Sequence, residues 1–404
     1  MEKAEIAKKV SEYRQEIITT MLKTLSIKSI SPSSGGMGEF ERATYLEKLL
    51  NSFGLKTQRY DYKDKTGCIR SNVITTFGFE KNKHHIWLVA HIDTVAPGDT
   101  KLWKRDPFEP YVLDGKIYGR GSSDNGQDLI ASIYTIKILF ELTKAPKYGI
   151  GVALVADEEM GSEYGIQKLI AANLFKKDDL VIVPDAGDEK GLWIEVAEKG
   201  MLWLKFTFTG KQIHASIPNE GVNAYFYSME FLTTLRYELQ KKFNARNELF
   251  SPDYSTFEVT KHEANVESIN IIPGTEISYM DCRVLPEYKI ADVLSFVKKN
   301  AEQFCIRNKG IRINVDVVNK EEAAPPTDSN SEIVRLMSSA VESSLGIKPK
   351  IIGIGGGTCA AFFRKAGIDA VAWSIDNQMA HQINEYCFIE SILKDTEVFI
   401  SLFL

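Results

Sequence analysis

His91 and Asp93 stand two residues apart, directly after the apolar run 85–90 (HIWLVA). A histidine that ligates a metal needs its second ring nitrogen held by an acceptor, which fixes the tautomer and raises ligand basicity. Asp93 can supply that acceptor directly or across a turn. The plainer alternative is a strand-end histidine bonded to a loop aspartate. Asp124 lies in GRGSSDNG, just ahead of a helical pattern, where aspartate is also a favoured N-cap. Asp157-Glu158-Glu159 follows the apolar run 150–156 (IGVALVA). Adjacent carboxylates at a strand end point in different directions, so one can hold a metal while its neighbour faces substrate as general base. A solvated acidic loop is the bland alternative. Asp185 follows the run 180–183 (LVIV) and Pro184, and His381 sits in AHQINE, after the strand-like run 369–373.

Each position taken alone has a dull explanation, but the set does not. His91, Asp124, Glu159, Asp185 and His381 all fall in expected loops, most of them just past buried strands, on one edge of one sheet. Two histidines and three carboxylates with no thiolate suit zinc, or a neighbouring ion such as cobalt or manganese. Five ligands are too many for one catalytic zinc, which takes three and keeps an open position. They fit two divalent ions that share a bridging carboxylate and a bridging water.

The elements that must position these groups read as an α/β protein. Residues 1–25 form an amphipathic helical pattern, and 41–53 a second helix ended by Gly54. Short β-like runs follow at 56–62 and 71–77. The continuous apolar runs 85–90, 150–156 and 180–183 look like strands buried on both faces. Helical patterns at 125–142 and 163–173 alternate with them, which argues for a mainly parallel sheet. Such sheets bind ligands at the carboxyl ends of their strands. The middle of the chain changes character: strand 201–209, helix 222–243, strands 266–272 and 276–284 joined by Pro273-Gly274, helix 290–308 and strand 311–318. That β-α-β-β-α-β order is ferredoxin-like. The expected layout is a catalytic domain of residues 1–195 and 319–404, split by an inserted module of 196–318. After the polar stretch 320–331, helix and strand alternate again: 331–345, 350–352, 358–366, 369–373 and 387–404.

Composition bounds the rest. The 404 residues predict two domains or three, and 49 basic against 54 acidic side chains give a net charge of −5. That balance excludes nucleic-acid binding driven by bulk positive charge. No apolar run is long enough to span a membrane, and the N-terminus lacks the apolar core of a signal peptide. The five cysteines, Cys68, Cys282, Cys305, Cys359 and Cys387, form no C-x-x-C pair. A reducing, cytoplasmic setting is therefore expected. Of six histidines, His84, His85 and His262 acquire no role.

The motifs HIDTVAPGD, GRGSSDNG, ADEEMGS, VPDAG, GKQIHASIPNEGVNA, NIIPGTEISYMDCRVLP, GIGGGTCAAF and AHQINE together resemble the co-catalytic zinc amidohydrolases and peptidases. That family includes succinyl-diaminopimelate desuccinylase, acetylornithine deacetylase, aminoacylase and glutamate carboxypeptidase. The likeness runs nearly end to end. It implies a zinc-peptidase-like catalytic domain with an inserted lid, which also makes a homodimer. By the same resemblance, His91 and Asp185 would hold one metal, Glu159 and His381 the other, and Asp124 would bridge them. Asp93 would support His91, and Glu158 would be the general base. His214 would reach a partner's active site and stabilise the oxyanion. Asn270, Arg283 and the loop Gly355-Gly356-Gly357-Thr358 would hold a substrate carboxylate, for which an arginine fork is suited. His214 could equally be a surface residue and Arg283 a rim ion pair. The glycine-rich loop lacks the lysine of a phosphate-binding P-loop.

Three departures stand out. Gly126 and Gln127 occupy positions where the family commonly has lysine and glycine, and Cys359-Ala360-Ala361 replace a common aspartate region. Aspartate at 185 resembles the aminopeptidase and dipeptidase branches, where the acylase and desuccinylase branches carry glutamate. The expected activity is hydrolysis of an amide bond in a small N-acyl-amino acid bearing a free carboxylate. A dipeptidase or aminopeptidase is the alternative that Asp185 favours. A metal-binding scaffold without catalysis would lack a ligand or the base, and neither is missing here.

Overall fold

The computed structural model describes residues 3–82, 84–142 and 146–404. It divides into two compact units: Met1–Val196 with Pro326–Ile352 and Thr358–Leu404, and Ala197–Pro325 with Gly353–Gly357.

The first unit is built on an eight-stranded sheet. Its order is Thr57–Lys63, Ile69–Phe77, Gly149–Val155, His85–His91, Leu180–Asp188, Ala370–Ile375, Trp193–Glu198 and Lys350–Ile354. The four central strands, Gly149–Val155 through Ala370–Ile375, pair parallel. Ile69–Phe77 joins them antiparallel at one side, and Trp193–Glu198 at the other. The central strands His85–His91 and Gly149–Val155 are buried at every residue, as expected of strands covered on both faces. Trp87 lies directly opposite Gly151. A Cβ at Gly151 would come within 2.3 Å of the indole, so only glycine admits the ring there. Helix Gln127–Leu142 is buried over most of its length and packs with Ile389–Ser401.

The second unit holds a four-stranded antiparallel sheet ordered Thr256–His262, Thr275–Val284, Gly200–Thr209, Arg312–Glu321. The chain order around it, with helices Ala224–Lys242 and Ile290–Arg307, is β-α-β-β-α-β. Leu202, Leu204, Phe206 and Phe208 alternate inward on the central strand and are fully buried among helix residues such as Phe231, Leu235 and Val297. Each is worth about 1.5–3 kcal/mol of apolar transfer.

Several expected elements are corrected. The N-terminal pattern forms two helices, Lys3–Glu12 and Arg14–Ser26, interrupted at Tyr13. The hairpin expected from 266–272 and 276–284 does not form. Only Ile271–Ile272 is extended there, and it pairs with Ile213–His214. The strand Thr275–Val284 pairs instead with Thr256–His262. Thr256–His262 buries only Phe257 fully, so the apolar pattern that betrays a strand is nearly absent. Ile269 is fully exposed, so the apolar run of 266–272 did not mark a buried face. The strand expected to end at 318 continues to Glu321, and the second unit to Pro325. The loop Gly353–Gly357 also groups with that unit. Among the described residues no helix is long and apolar enough to cross a membrane.

Candidate metal centre

Parallel strands bring their carboxyl ends to one edge, and the chemistry collects there. His91 is the last residue of its strand. Asp157, Glu158 and Glu159 follow the neighbouring strand Gly149–Val155, with Glu158 and Glu159 on a short 3-10 turn. Asp157 adopts φ +68, a left-handed conformation that aspartate tolerates better than most residues. Its side chain is fixed there by Arg70 at 2.7 Å and by the Tyr164 N–H.

Two expectations about local structure change. Asp185 lies inside strand Leu180–Asp188, not after it. The register with Ala370–Ile375 slips between Ala372↔Val183 and Ser374↔Gly187, so Pro184, Asp185 and Ala186 form an irregular stretch. Proline cannot donate to the ladder, which is why the break falls there. Asp124 is not a helix cap. The helix starts at Gln127, and Asp124 sits in an irregular turn at φ −117, ψ 97, its carboxylate facing histidines.

Asp124 stands between the two histidines, one oxygen toward each. His91 Nε2 is 2.7 Å from Oδ1, and His381 Nε2 is 3.0 Å from Oδ2. His381 Nε2 also lies 3.0 Å from Glu159 Oε2, and His91 Nε2 3.6 Å from Asp185 Oδ1. The donor atoms of His91, Asp124 and Glu159 lie within 4.8 Å of one another, as do those of His91, Glu158 and Asp185. All six expected groups therefore meet, and the set could hold divalent cations.

The electrostatics favour added positive charge. Burial and the Asp185 carboxylate push Glu158 well above the usual carboxylate range. Burial likewise raises Glu159, with Asp124 adding to it, and burial raises Asp185. Hydrogen bonds to Asp124 and Glu159 raise His381 to about 10. At His91, burial opposes the charged form but is outweighed by Asp185 and Asp124, so its pKa also rises. Protons thus occupy the histidines of the metal-free cluster, the behaviour of an anionic donor set that matches cations.

Asp93 does more than orient His91. The imidazole Nδ1 sits 3.1 Å from the Asp93 carbonyl and 3.5 Å from its Oδ1. The carboxylate accepts the N–H groups of Glu158 and Glu159 at 3.1 and 3.2 Å. One buried aspartate thereby sets the position of three site residues.

Other supports were not singled out from the sequence. Glu385 accepts N–H groups from Gly121, Ser123 and Asp124 and pairs with Arg120 at 2.7 Å. Asn125 donates to Pro184 O at 2.6 Å and to Asp185 Oδ1 at 2.9 Å. Arg70 joins the fully buried Glu39 to Asp157. Glu385 and Asn125 lie within AHQINE and GRGSSDNG, but only their burial shows that they are supports.

In the second unit, His214 is exposed; its Nδ1 accepts from the Ser216 N–H, and its Nε2 is 3.5 Å from Asn270 Nδ2. Arg283 applies its Nε and Nη2 to both oxygens of Asp281, and donates from Nη1 to Gly355 O at 3.0 Å. The fork expected for substrate is thus already on an internal carboxylate. A Cβ at Gly355 or Gly356 would meet nothing within 4 Å, and at Gly357 it would come no closer than 3.9 Å. That loop is therefore open, not tightly packed. Thr358, in the first unit, is buried and accepts the Ala360 N–H. Cys359 is buried beside Ser162, and burial pushes its thiol well up. Of the histidines without a role, His85 is buried against Asp179 and stacks on Phe79.

The profile of peptidase family M20/M25/M40 matches residues 87–404, and the chain belongs to that family. It is 40% identical to an uncharacterised metallohydrolase of Methanocaldococcus jannaschii, over 95% of this chain and 98% of the relative. It is 27% identical to a succinyl-diaminopimelate desuccinylase of Nitratiruptor sp., over 94% and 96%. Among solved structures, human carnosine dipeptidase 1 superposes with TM-score 0.79 at 16% identity, covering 100% of this chain and 98% of that one. An M20 metallo-carboxypeptidase of Sulfolobus solfataricus gives 0.74 at 23%, covering 96% and 99%. At such identities the structural likeness speaks for the fold alone. The chain is a metal-dependent hydrolase.

Proposed function

We propose that this protein is a two-metal amide hydrolase acting on small N-acyl-amino acids that carry a free carboxylate. The observation that supports it most directly is Asp124, which offers one carboxylate oxygen to each of two histidines. That is the arrangement a bridging ligand requires. His91 and Asp185 would hold one ion, and Glu159 and His381 the other. Zinc suits the donor set first, with cobalt or manganese next.

Bound there, divalent ions supply Lewis acidity to the scissile carbonyl and acidify an attacking water. Glu158 takes the proton of that water and returns it to the departing amine. Asp93 holds the Glu158 backbone and so aims the base. His214 stabilises the oxyanion, reaching it from a partner in a homodimer formed through the second unit. Asn270, Thr358, Gly356 and Gly357 receive the substrate carboxylate, with Arg283 contributing what Asp281 leaves free. The products are an amino acid and an acyl acid, and the setting is cytoplasmic.

A dipeptidase is the second reading. Its support is Asp185 in place of a longer glutamate at that ligand position, held back by Asn125.

The test is a substrate panel on protein loaded with zinc or cobalt, and on chelated protein. N-succinyl- and N-acetyl-amino acids should turn over, and free-amine dipeptides should not. The reverse preference establishes the dipeptidase. No chelator-sensitive amide hydrolysis on any substrate would sink both.

A further inference from the structure

Behind the metal centre lies a cavity of about 50 Å³, lined among others by Asp124, Asp128, Asp185 and Asp376. Asp128 is 3% exposed, and its Oδ1 has no hydrogen-bond donor. Asp395 is fully buried on helix Ile389–Ser401, which packs against the helix that carries Asp128, and the two carboxylates act on each other. Two buried carboxylates that act on each other so closely do not both stay ionised without a cation. Among the described residues, no lysine, arginine or histidine is bonded to either. None can enter from position 126, where a Cβ would fall 2.4 Å from Gly121 O. Asp376 acts on both carboxylates and Asp185 on Asp128, both acidic, and the buried thiol of Cys387 lies near the pair.

The hydrogen bonds assign the roles. Asp395 Oδ1 accepts the Ile375 N–H at 3.1 Å, and Oδ2 accepts from Gln127 Nε2 at 2.9 Å. Both of its oxygens are thus acceptors, as in an ionised carboxylate. Gln127 is fixed in turn, because the same nitrogen donates to Ile375 O at 2.7 Å. Asp128 Oδ2 faces Asn125 Nδ2 at 3.4 Å, which leaves Oδ1 as the oxygen able to carry a proton. Burial and the neighbouring Asp395 also push Asp128 well above the usual carboxylate range. Asn125 is the link outward: its Nδ2 donates to Pro184 O at 2.6 Å and to Asp185 Oδ1 at 2.9 Å, and Asp128 Oδ2, at 3.4 Å from the same nitrogen, shares one of those two hydrogens.

We propose that Asp128 and Asp395 hold a single proton between them, and that this pair, through Asn125, orients Asp185 toward the metal centre. Asp128 is a positioning residue. Its consequence at Asp185 rests on the proposed metal centre, whereas the proton itself does not.

Two measurements test this. Infrared spectra of the metal-free protein at pH 8 should show a protonated-carboxyl band that is absent from Asp128→Asn. Chelator competition for zinc should place Asp128→Asn within about threefold of wild type, because its amide still donates to Asp395. Asp128→Ala should bind zinc at least tenfold more weakly. If Asp128→Ala does not fold, Asp128→Asn and the infrared band decide alone. The pair is overturned if no band is lost in Asp128→Asn. It is also overturned if that variant loses zinc affinity tenfold, or loses a sodium, potassium or further divalent ion found in the wild type. A band with no divalent metal binding at all refutes the metal centre and the link to Asp185 while leaving the shared proton standing.

Discussion

Glu385 accepts the backbone N–H of Asp124 at 3.0 Å through the same oxygen that takes Ser123 N–H at 2.8 Å. Its other oxygen holds Gly121 N–H and Arg120. Glu385 is four residues beyond His381. The loop that carries one histidine is therefore stitched to the turn that carries the shared carboxylate. Two proposed ligands from distant parts of the chain are held in register by a residue that is not itself a ligand.

Removing that stitch should be costly. Glu385→Ala leaves the buried Arg120 unpaired along with three N–H groups, which predicts about 3–5 kcal/mol of lost stability. Glu385→Gln, which still accepts hydrogen bonds, should lose less. Denaturant unfolding of both variants measures this. A loss under 1 kcal/mol for the alanine variant would mean water replaces the carboxylate freely.

Glu158→Gln keeps the shape and removes the base. The expected outcome is full metal content by elemental analysis with kcat reduced about 10²–10⁴-fold, the usual range for positioned proton transfer. Turnover within tenfold of wild type would assign proton transfer to another group.

Asp93→Asn should act through its neighbours. It replaces an acceptor of two backbone N–H groups and weakens the hold on His91. Loss of such a support typically costs 10–100-fold in metal affinity. Chelator competition is the measurement, and unchanged affinity would confine Asp93 to a structural part.

The pH dependence follows from His381. Hydrogen bonds to Asp124 and Glu159 raise it from 6.5 to about 10 in the metal-free chain. A raised histidine contributes stability that is full below 6.5 and is lost as pH climbs through 10. Metal-free protein should therefore lose Tm across that window, and His381→Ala should lose less. Metal binding must also expel the proton, so metal affinity should rise with pH over the same range. A metal-free Tm that rises from pH 7 to 9.5 would contradict the sign.

The sequence by itself determined the chemistry that could be present and the class of sheet that carries it. His91, Glu158, Glu159, Asp185 and His381 were legible because each follows an apolar run, and a run buried on both faces marks a parallel strand locally; Asp124 was legible only as a loop carboxylate ahead of a helix. The family motifs added end-to-end agreement. What the sequence left open was decided by contacts across long separations. Strand Thr256–His262 shows little apolar alternation and is a strand because Thr275–Val284 supplies its partners. Asp124 has the local signature of a cap, and becomes a site residue only where the fold delivers two histidines to its two oxygens. Asp185 belongs to a strand because Ala370–Ile375, nearly two hundred residues later, pairs around it. Glu385, Asn125 and the Asp128–Asp395 pair carry no pattern that separates them from surface polar residues. Burial gives them their roles, and burial is a property of the packed chain.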